Sequence, residues 1–234
     1  MVIENPWTKL KELTAARIAL GRAGHSLPTR ELIAFQLAHA QARDAVHRSL
    51  DVTAFAELRP VILHSAAPGR AAYLKRPDLG RRLDPESANR IERGDWDVVF
   101  AIVDGLSATA VHHHAAPVIT ALTPLLENWR IAPICIVEEG RVAIGDEIGE
   151  RFGAKLAIVL IGERPGLSSP DSLGAYLTWS PKAGRTDAER NCVSNIRTEG
   201  LEPALAARRI AVIMHAARDQ RLTGVPLKIS NLLN

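Results

Sequence analysis

Three apolar runs, "DVVFAIVDG" (97–105), "IAPICIVEEG" (131–140) and "KLAIVLIGE" (155–163), follow one another within about 67 residues. None alternates with polar residues, and each closes on an acidic residue beside glycine. A strand that is apolar throughout is covered on both faces, as in a parallel sheet flanked by helices. The intervening "SATAVHHHAAPVITALTPLLENW" and "VAIGDEIGERFG" have helical composition, with Ser107 as an N-cap and Gly153 as a terminator. The stretch reads as a βαβαβ unit, whose right-handed crossovers bring all three carboxyl ends to one edge.

Around this unit, "PVILHSAAP" (60–68) predicts one more strand ending in a turn. Upstream, residues 8–24 predict a helix followed by a Gly-containing turn, with Leu10, Leu13, Ile18 and Leu20 mostly on one side. A second helix is expected from about Arg30 to Leu50, turning Leu32, Ile33, Phe35, Leu37, Ala40 and Val46 toward a core. Its other face carries His39, Gln41, Arg43, Asp44 and His47, suited to solvent or to a close contact with another chain. Residues 70–93, rich in Gly, Pro and Asp, read as a surface loop, and so does 162–196, which leaves the edge where ligands bind in open α/β sheets. A last helix, about Pro203 to Leu222, offers Leu205, Ile210, Val212, Ile213 and Met214 to the sheet. The expected fold is α/β: a Rossmann-like, mostly parallel sheet flanked by helices, with an N-terminal helical segment (1–58) before the α/β domain (59–234).

Composition narrows the function classes. A hydrophobic content of 47% in 234 residues supports a substantial core. No apolar run reaches the length of a membrane span, and the N-terminus lacks a secretory apolar region, so a cytoplasmic protein is expected. Two cysteines, Cys135 and Cys192, are too few for a disulfide framework. The net charge of +3 is mild, and aromatics at 4% show no interleaving with basic residues, which argues against a nucleic-acid partner. Seven basic against four acidic residues between Arg70 and Arg93 could face an anion or an acidic protein surface.

Neither a G-x-G-x-x-G after a strand nor a G-x-x-x-x-G-K-[ST] occurs, so the usual phosphate cradles are missing. "HHH" (His112–His114) invites a metal assignment, but neighbours in a helix point about 100° apart and three in a row cannot clasp one ion. These are read as ordinary helix histidines, and no metal ligand is expected. Cys192 lacks a local mark of an activated nucleophile, and no catalytic residue is assigned. Glu163, at a strand's carboxyl end between Gly162 and Arg164, is a site candidate; pairing with an arginine to order the loop is the structural alternative.

"FQLAHAQARDAVH", "DVVFAIVDGLSATAV", "GDEIGERFGAKLAIVLIGERPGLSSPDSLGAYLTWSP" and "TDAERNCVSNIRTEGL" resemble the small (light) subunit of ethanolamine ammonia-lyase, as does "ARIALGRAGHSLPT" near the N-terminus. The resemblance runs from about Leu13 to Gly224, and "IGERPGLSS" with "RNCVSNI" at this separation is a specific combination. It implies an adenosylcobalamin-dependent lyase that converts ethanolamine to acetaldehyde and ammonia by a radical mechanism. The chain would cover the nucleotide-tail side of the corrinoid beside a catalytic large subunit, in an α6β6 assembly. It would be active only in that complex, in the cytoplasm or inside a bacterial microcompartment. Carried over position by position, the family's cobalamin contacts fall on Val142, Glu163 and Cys192. No D-x-H-x-x-G motif occurs, so the cofactor's own base is expected to stay on cobalt.

Two other readings are open on the residues alone. One is a freestanding nucleotide-binding α/β enzyme, which would be active by itself. The other is a non-catalytic scaffold subunit, whose Glu163 and Cys192 would not affect cofactor affinity.

Overall fold

A computed structural model describes residues 7–14 and 16–229. Its strands are β1 (Val61–His64), β2 (Val98–Val103), β3 (Cys135–Glu138), β4 (Leu156–Gly162), β5 (Leu173–Trp179) and β6 (Asn191–Ile196). The helices are α1 (Thr8–Lys11), α2 (Thr29–His47), α3 (Arg70–Lys75), α4 (Pro85–Asn89), α5 (Ala108–Leu122), α6 (Ile144–Phe152) and α7 (Pro203–Gln220). The strands form one sheet in the order β1-β3-β2-β4-β5-β6.

The three apolar runs become β2, β3 and β4, parallel to one another and to β1. Alternate residues of each strand feed two cores. Val98, Phe100 and Ile102 of β2, with Leu156, Ile158 and Leu160 of β4, pack under α5 and α7. Val99, Ala101, Val103, Val159 and Ile161 pack under α6. Each fully buried Ile or Leu contributes about 1.5–3 kcal/mol, so a strand apolar on both faces is stable only between two helical layers. Ser107 caps α5 by accepting from Ala110 N, and Gly153 (φ 73°) ends α6 in the left-handed conformation, both as the sequence predicts.

The sheet is mixed: β1 to β4 are parallel, as expected, and one strand breaks the pattern. β5 runs antiparallel to both β4 and β6. The segment expected as one long loop is thus a loop of ten residues, Glu163 to Ser172, followed by two strands. The reason is geometric: a parallel continuation needs a crossover of a dozen or more residues, and ten residues without a helix cannot supply it. Turn-forming residues masked the strands, although Leu173, Ala175 and Leu177 alternate inward as a half-covered strand requires.

Four other expectations change. The helix predicted at the start of 8–24 stops at Lys11; residue 15 lies outside the described residues, Ala19 takes a positive φ that ends helical geometry, and Gly21 and Gly24, also at positive φ, fit the Gly-containing turn expected there. Residues 70–93 hold α3, α4 and a 3-10 turn over Leu79–Arg81, with Tyr73, Leu83 and Ala88 buried. α2 matches its predicted span but not its face. Ala45 is its buried residue, whereas Leu32, Ile33, Phe35 and Leu37 are 40–58% exposed. On α7, Ile210, Ile213 and Met214 are buried as expected, but Leu205 is exposed.

Candidate functional site at the carboxyl edge of the sheet

β2 leads into α5 on one face and β3 into α6 on the other, while the two strands are neighbours. Adjacent strands whose connections part to opposite faces leave a crevice beyond their carboxyl ends, where open α/β sheets bind ligands. Glycine lets the backbones close that edge. Leu106 N donates to Gly162 O at 2.9 Å, and a Cβ on Gly162 would stand 2.1 Å from Ser107 O. Gly105 takes φ 56° at the same contact.

Asp104 sits at the base of the crevice, 3% exposed. It accepts from Arg70 Nη1 at 3.2 Å and from Gly140 N at 3.2 Å. Burial pushes its carboxyl up to about 6, against the pull of Arg70 and the surrounding backbone N–H groups. Buried Tyr73 lies between two guanidinium groups, Arg70 at 4.8 Å and Arg141 at 4.2 Å from the ring centroid, and donates to Gly140 O at 3.0 Å. Arg70 Nη2, Arg141 Nε and Glu139 Oε2 are buried without a hydrogen-bond partner among the described residues. Burial raises the Glu139 carboxyl, against His64, 3.8 Å away, and Arg70. Polar atoms left unpaired at a strand edge are suited to a ligand's own donors and acceptors.

Two of the three expected site residues share a cavity of about 400 Å³. Val142, half-buried two residues before α6, and Glu163, at the end of β4, both line it, with Arg141, Arg164, Gly105 and Tyr176. Glu163 accepts from Ser172 Oγ and, at 3.4 Å, from Asn195 N. Its Oε1 lies where a Cβ on Gly174 would come within 2.9 Å, so that glycine lets the carboxylate lie across β5. The arginine pairing considered from the sequence is not what holds Glu163; a serine hydroxyl and a backbone amide do.

Cys192 does not line this cavity itself. It stands on β6 directly opposite Tyr176 of β5. Although the residue is exposed, partial desolvation raises its thiol pKa; Tyr176 opposes that rise and the negative charge of Glu163 adds to it. A raised thiol pKa lowers the thiolate fraction, which suits a packing or hydrogen-bonding role. Tyr176 therefore joins Cys192 to Val142 and Glu163, and sequence reasoning missed it. The usable signal was the alternation in "LGAYLTW", which sets Tyr176 opposite the inward Ala175 and Leu177.

Arg141 and Val142 also border a second cleft of about 790 Å³, whose wall mixes Arg81, Arg82, Arg185 and Arg190 with Asp78, Asp146, Glu147 and Asp187. Its wall is braced by a buried bidentate pair, Arg190 Nη1 and Nη2 on Asp146 at 2.6 and 2.7 Å, with Thr178 Oγ1 accepting from Arg190 Nη1 at 2.8 Å. The stretch 70–93 thus supplies Pro77, Asp78, Arg81 and Arg82 to the wall of a cleft of mixed charge. The three consecutive histidines separate as helix geometry requires. His112 accepts from Asp51 N at 2.9 Å, His113 is exposed, and His114 is buried against Asp171.

The family model described as ethanolamine ammonia-lyase light chain matches residues 4–228. The chain is 54% identical to the ethanolamine ammonia-lyase small subunit of Azotobacter vinelandii, over 96% of this chain and 88% of the relative. It is 53% identical to that of Ralstonia nicotianae, covering 97% and 89%, and 52% identical to that of Pseudomonas fluorescens, covering 96% and 87%.

Proposed function

Because the chain belongs to the ethanolamine ammonia-lyase light-chain family, we propose that it is the cofactor-covering subunit of an adenosylcobalamin-dependent ethanolamine ammonia-lyase. Its carboxyl edge would hold the nucleotide-tail side of the corrinoid against a large subunit. The residues at that edge fit such a group. A corrinoid bears peripheral amides and a phosphodiester tail, and the edge offers the Glu163 carboxylate, apolar Val142, and the unpaired Arg141 Nε where the two cavities meet. The observation that carries the reading is the meeting of Val142, Glu163 and, through Tyr176, Cys192 at one sheet edge.

When bound, adenosylcobalamin supplies the organic radical that such a lyase needs. This chain's residues bind and orient. Glu163, fixed by Ser172 and the Asn195 amide, accepts from an amide N–H. Val142 packs on the ring system, and Arg141 donates to a carbonyl or phosphate oxygen. Tyr176 lines the cavity, with Cys192 opposite it on β6. Ammonia elimination is assigned to the complex with the large subunit, in an α6β6 assembly. The exposed apolar residues of α2 and the basic stretch 70–93 are proposed as surfaces toward that subunit.

The test is adenosylcobalamin-dependent acetaldehyde release from ethanolamine by this chain, the large subunit, and both. Activity is expected in the mixture alone, with cofactor affinity falling in Glu163→Gln and Val142→Ser mixtures. Activity from this chain by itself would favour a freestanding enzyme. Unchanged cofactor affinity in both variants would favour a scaffold.

A further inference from the structure

The polar loop Glu163 to Ser172 is fastened to α5 at two points. Ser107 Oγ donates to Pro170 O at 2.8 Å, and the next residue, Asp171, brings Oδ2 to 3.3 Å from His114 Nε2. His113, the neighbour of His114 on α5, turns its ring edge-on to that of His114, with centroids 5.7 Å apart. One ligand atom from each of His113, His114 and Asp171 lies within 4.8 Å of the other two.

From these contacts we propose a binding site for a divalent transition cation, Zn²⁺ or Ni²⁺ in class, held by His113, His114 and Asp171. Two imidazole nitrogens and a carboxylate oxygen select such ions over Mg²⁺ or Ca²⁺. Around an ion with metal–nitrogen bonds of about 2.0–2.1 Å, tetrahedral ligand atoms stand about 3.3 Å apart. The His114–Asp171 pair already has that separation. Exposed His113 closes the remaining gap by rotation about its side-chain torsions, and water completes the shell.

One feature prepares the site. The Ser107–Pro170 bond fixes the backbone beside Asp171 before any ion arrives. Arg197 is the opposing charge near His114; its Nη1 is engaged at 3.3 Å by Ser168 O. The bound ion would clamp the loop that begins at Glu163 onto α5. Three consecutive histidines cannot share one ion, but two of them with a residue 57 positions away can. The inference is independent of the cofactor reading, since none of its three ligands lines either cavity.

The test is calorimetric titration of Zn²⁺ into the chelator-stripped, cobalamin-free complex of this chain with its large subunit. Unsubstituted complex is compared with His113→Ala, Asp171→Asn and His114→Ala, and with His39→Ala as a surface control. Expected is one saturable ion per copy of this chain, with affinity falling about tenfold or more in each ligand variant and unchanged in His39→Ala. Co²⁺ in place of Zn²⁺ should give the visible absorption of a low-coordinate nitrogen and oxygen site, lost in Asp171→Asn. Binding that survives both His113→Ala and Asp171→Asn, or no saturable binding to the unsubstituted complex, overturns the proposal. Exposed His113 and loop residue Asp171 keep the test sound if His114→Ala misfolds.

Discussion

Single side chains at the carboxyl edge are held in states they would not adopt in water. Asp104 is the clearest: burial raises its carboxyl from 3.8 to about 6 despite Arg70. A raised carboxyl means that the folded chain binds more protons than the unfolded chain between roughly pH 4 and 6. Stability from this group is therefore present at the acid end of that window and declines as pH rises through it. Urea unfolding from pH 4 to 6.5 should show the unsubstituted chain losing stability, with rising pH, relative to Asp104→Asn, whose side chain does not titrate. A difference between the two that stays constant with pH would contradict the assignment. Burial raises the Asp146 carboxyl as well, against the pull of Arg190. There both charges are buried together, and removing one would strand the other at a cost of about 3–5 kcal/mol.

At the scale of elements, the edge depends on backbones brought closer than side chains permit. The turn after β2 and the end of β4 touch through Leu106, Gly105 and Gly162. In Gly162→Ala the new methyl would lie 2.1 Å from Ser107 O and 2.6 Å from Asp104 O, both backbone atoms with little room to move. The variant is expected to lose about 1–3 kcal/mol in chemical denaturation and to displace Glu163, the next residue. Unaltered stability would mean that the strand ends are not in contact. β6 shows another such device. Its irregular pairing with β5, where Asn195 takes φ 57°, lets Val193 and Ile196 both turn inward. The same bulge brings Asn195 N to Glu163.

Across the whole molecule, α2 is out of balance with its surroundings. Among the described residues, α2 buries Ala45 while Leu32, Ile33 and Leu37 stay exposed and Phe35 is met by the Arg17 guanidinium, which leaves apolar surface for a partner. Relatives named small subunits supply the natural counterpart, a large one. Replacing Leu32, Ile33 and Leu37 together by Gln should leave the isolated chain's stability within about 0.5 kcal/mol per site. Assembly with the large subunit, followed by size-exclusion chromatography or calorimetry, should weaken about tenfold or more, which corresponds to losing about 1.4 kcal/mol. Undiminished assembly would move the interface elsewhere on the surface. No described helix is long and apolar enough to cross a membrane, so a lipid surface is not the helix's counterpart as a span.

Local periodicity determined much of this protein from the sequence alone. Continuous apolar runs placed β2, β3 and β4 and required helices on both faces; an N-cap serine and a terminal glycine bounded α5 and α6. Those signals arise between neighbours along the chain, so they survive without knowledge of the fold. Motif resemblance likewise pointed to Val142, Glu163 and Cys192. Only the tertiary structure decided that 162–196 holds two antiparallel strands, because strand direction is set by how the chain closes on the sheet. Only there do Tyr176 and Cys192 meet, Arg141 is left with an unpaired N–H between two cavities, and Asp171 reaches His114. Such contacts join residues far apart in sequence, and no pattern confined to one segment encodes them. The exposure of α2 belongs to the same class: its apolar residues were legible, but which surface covers them depends on what the rest of the fold leaves open.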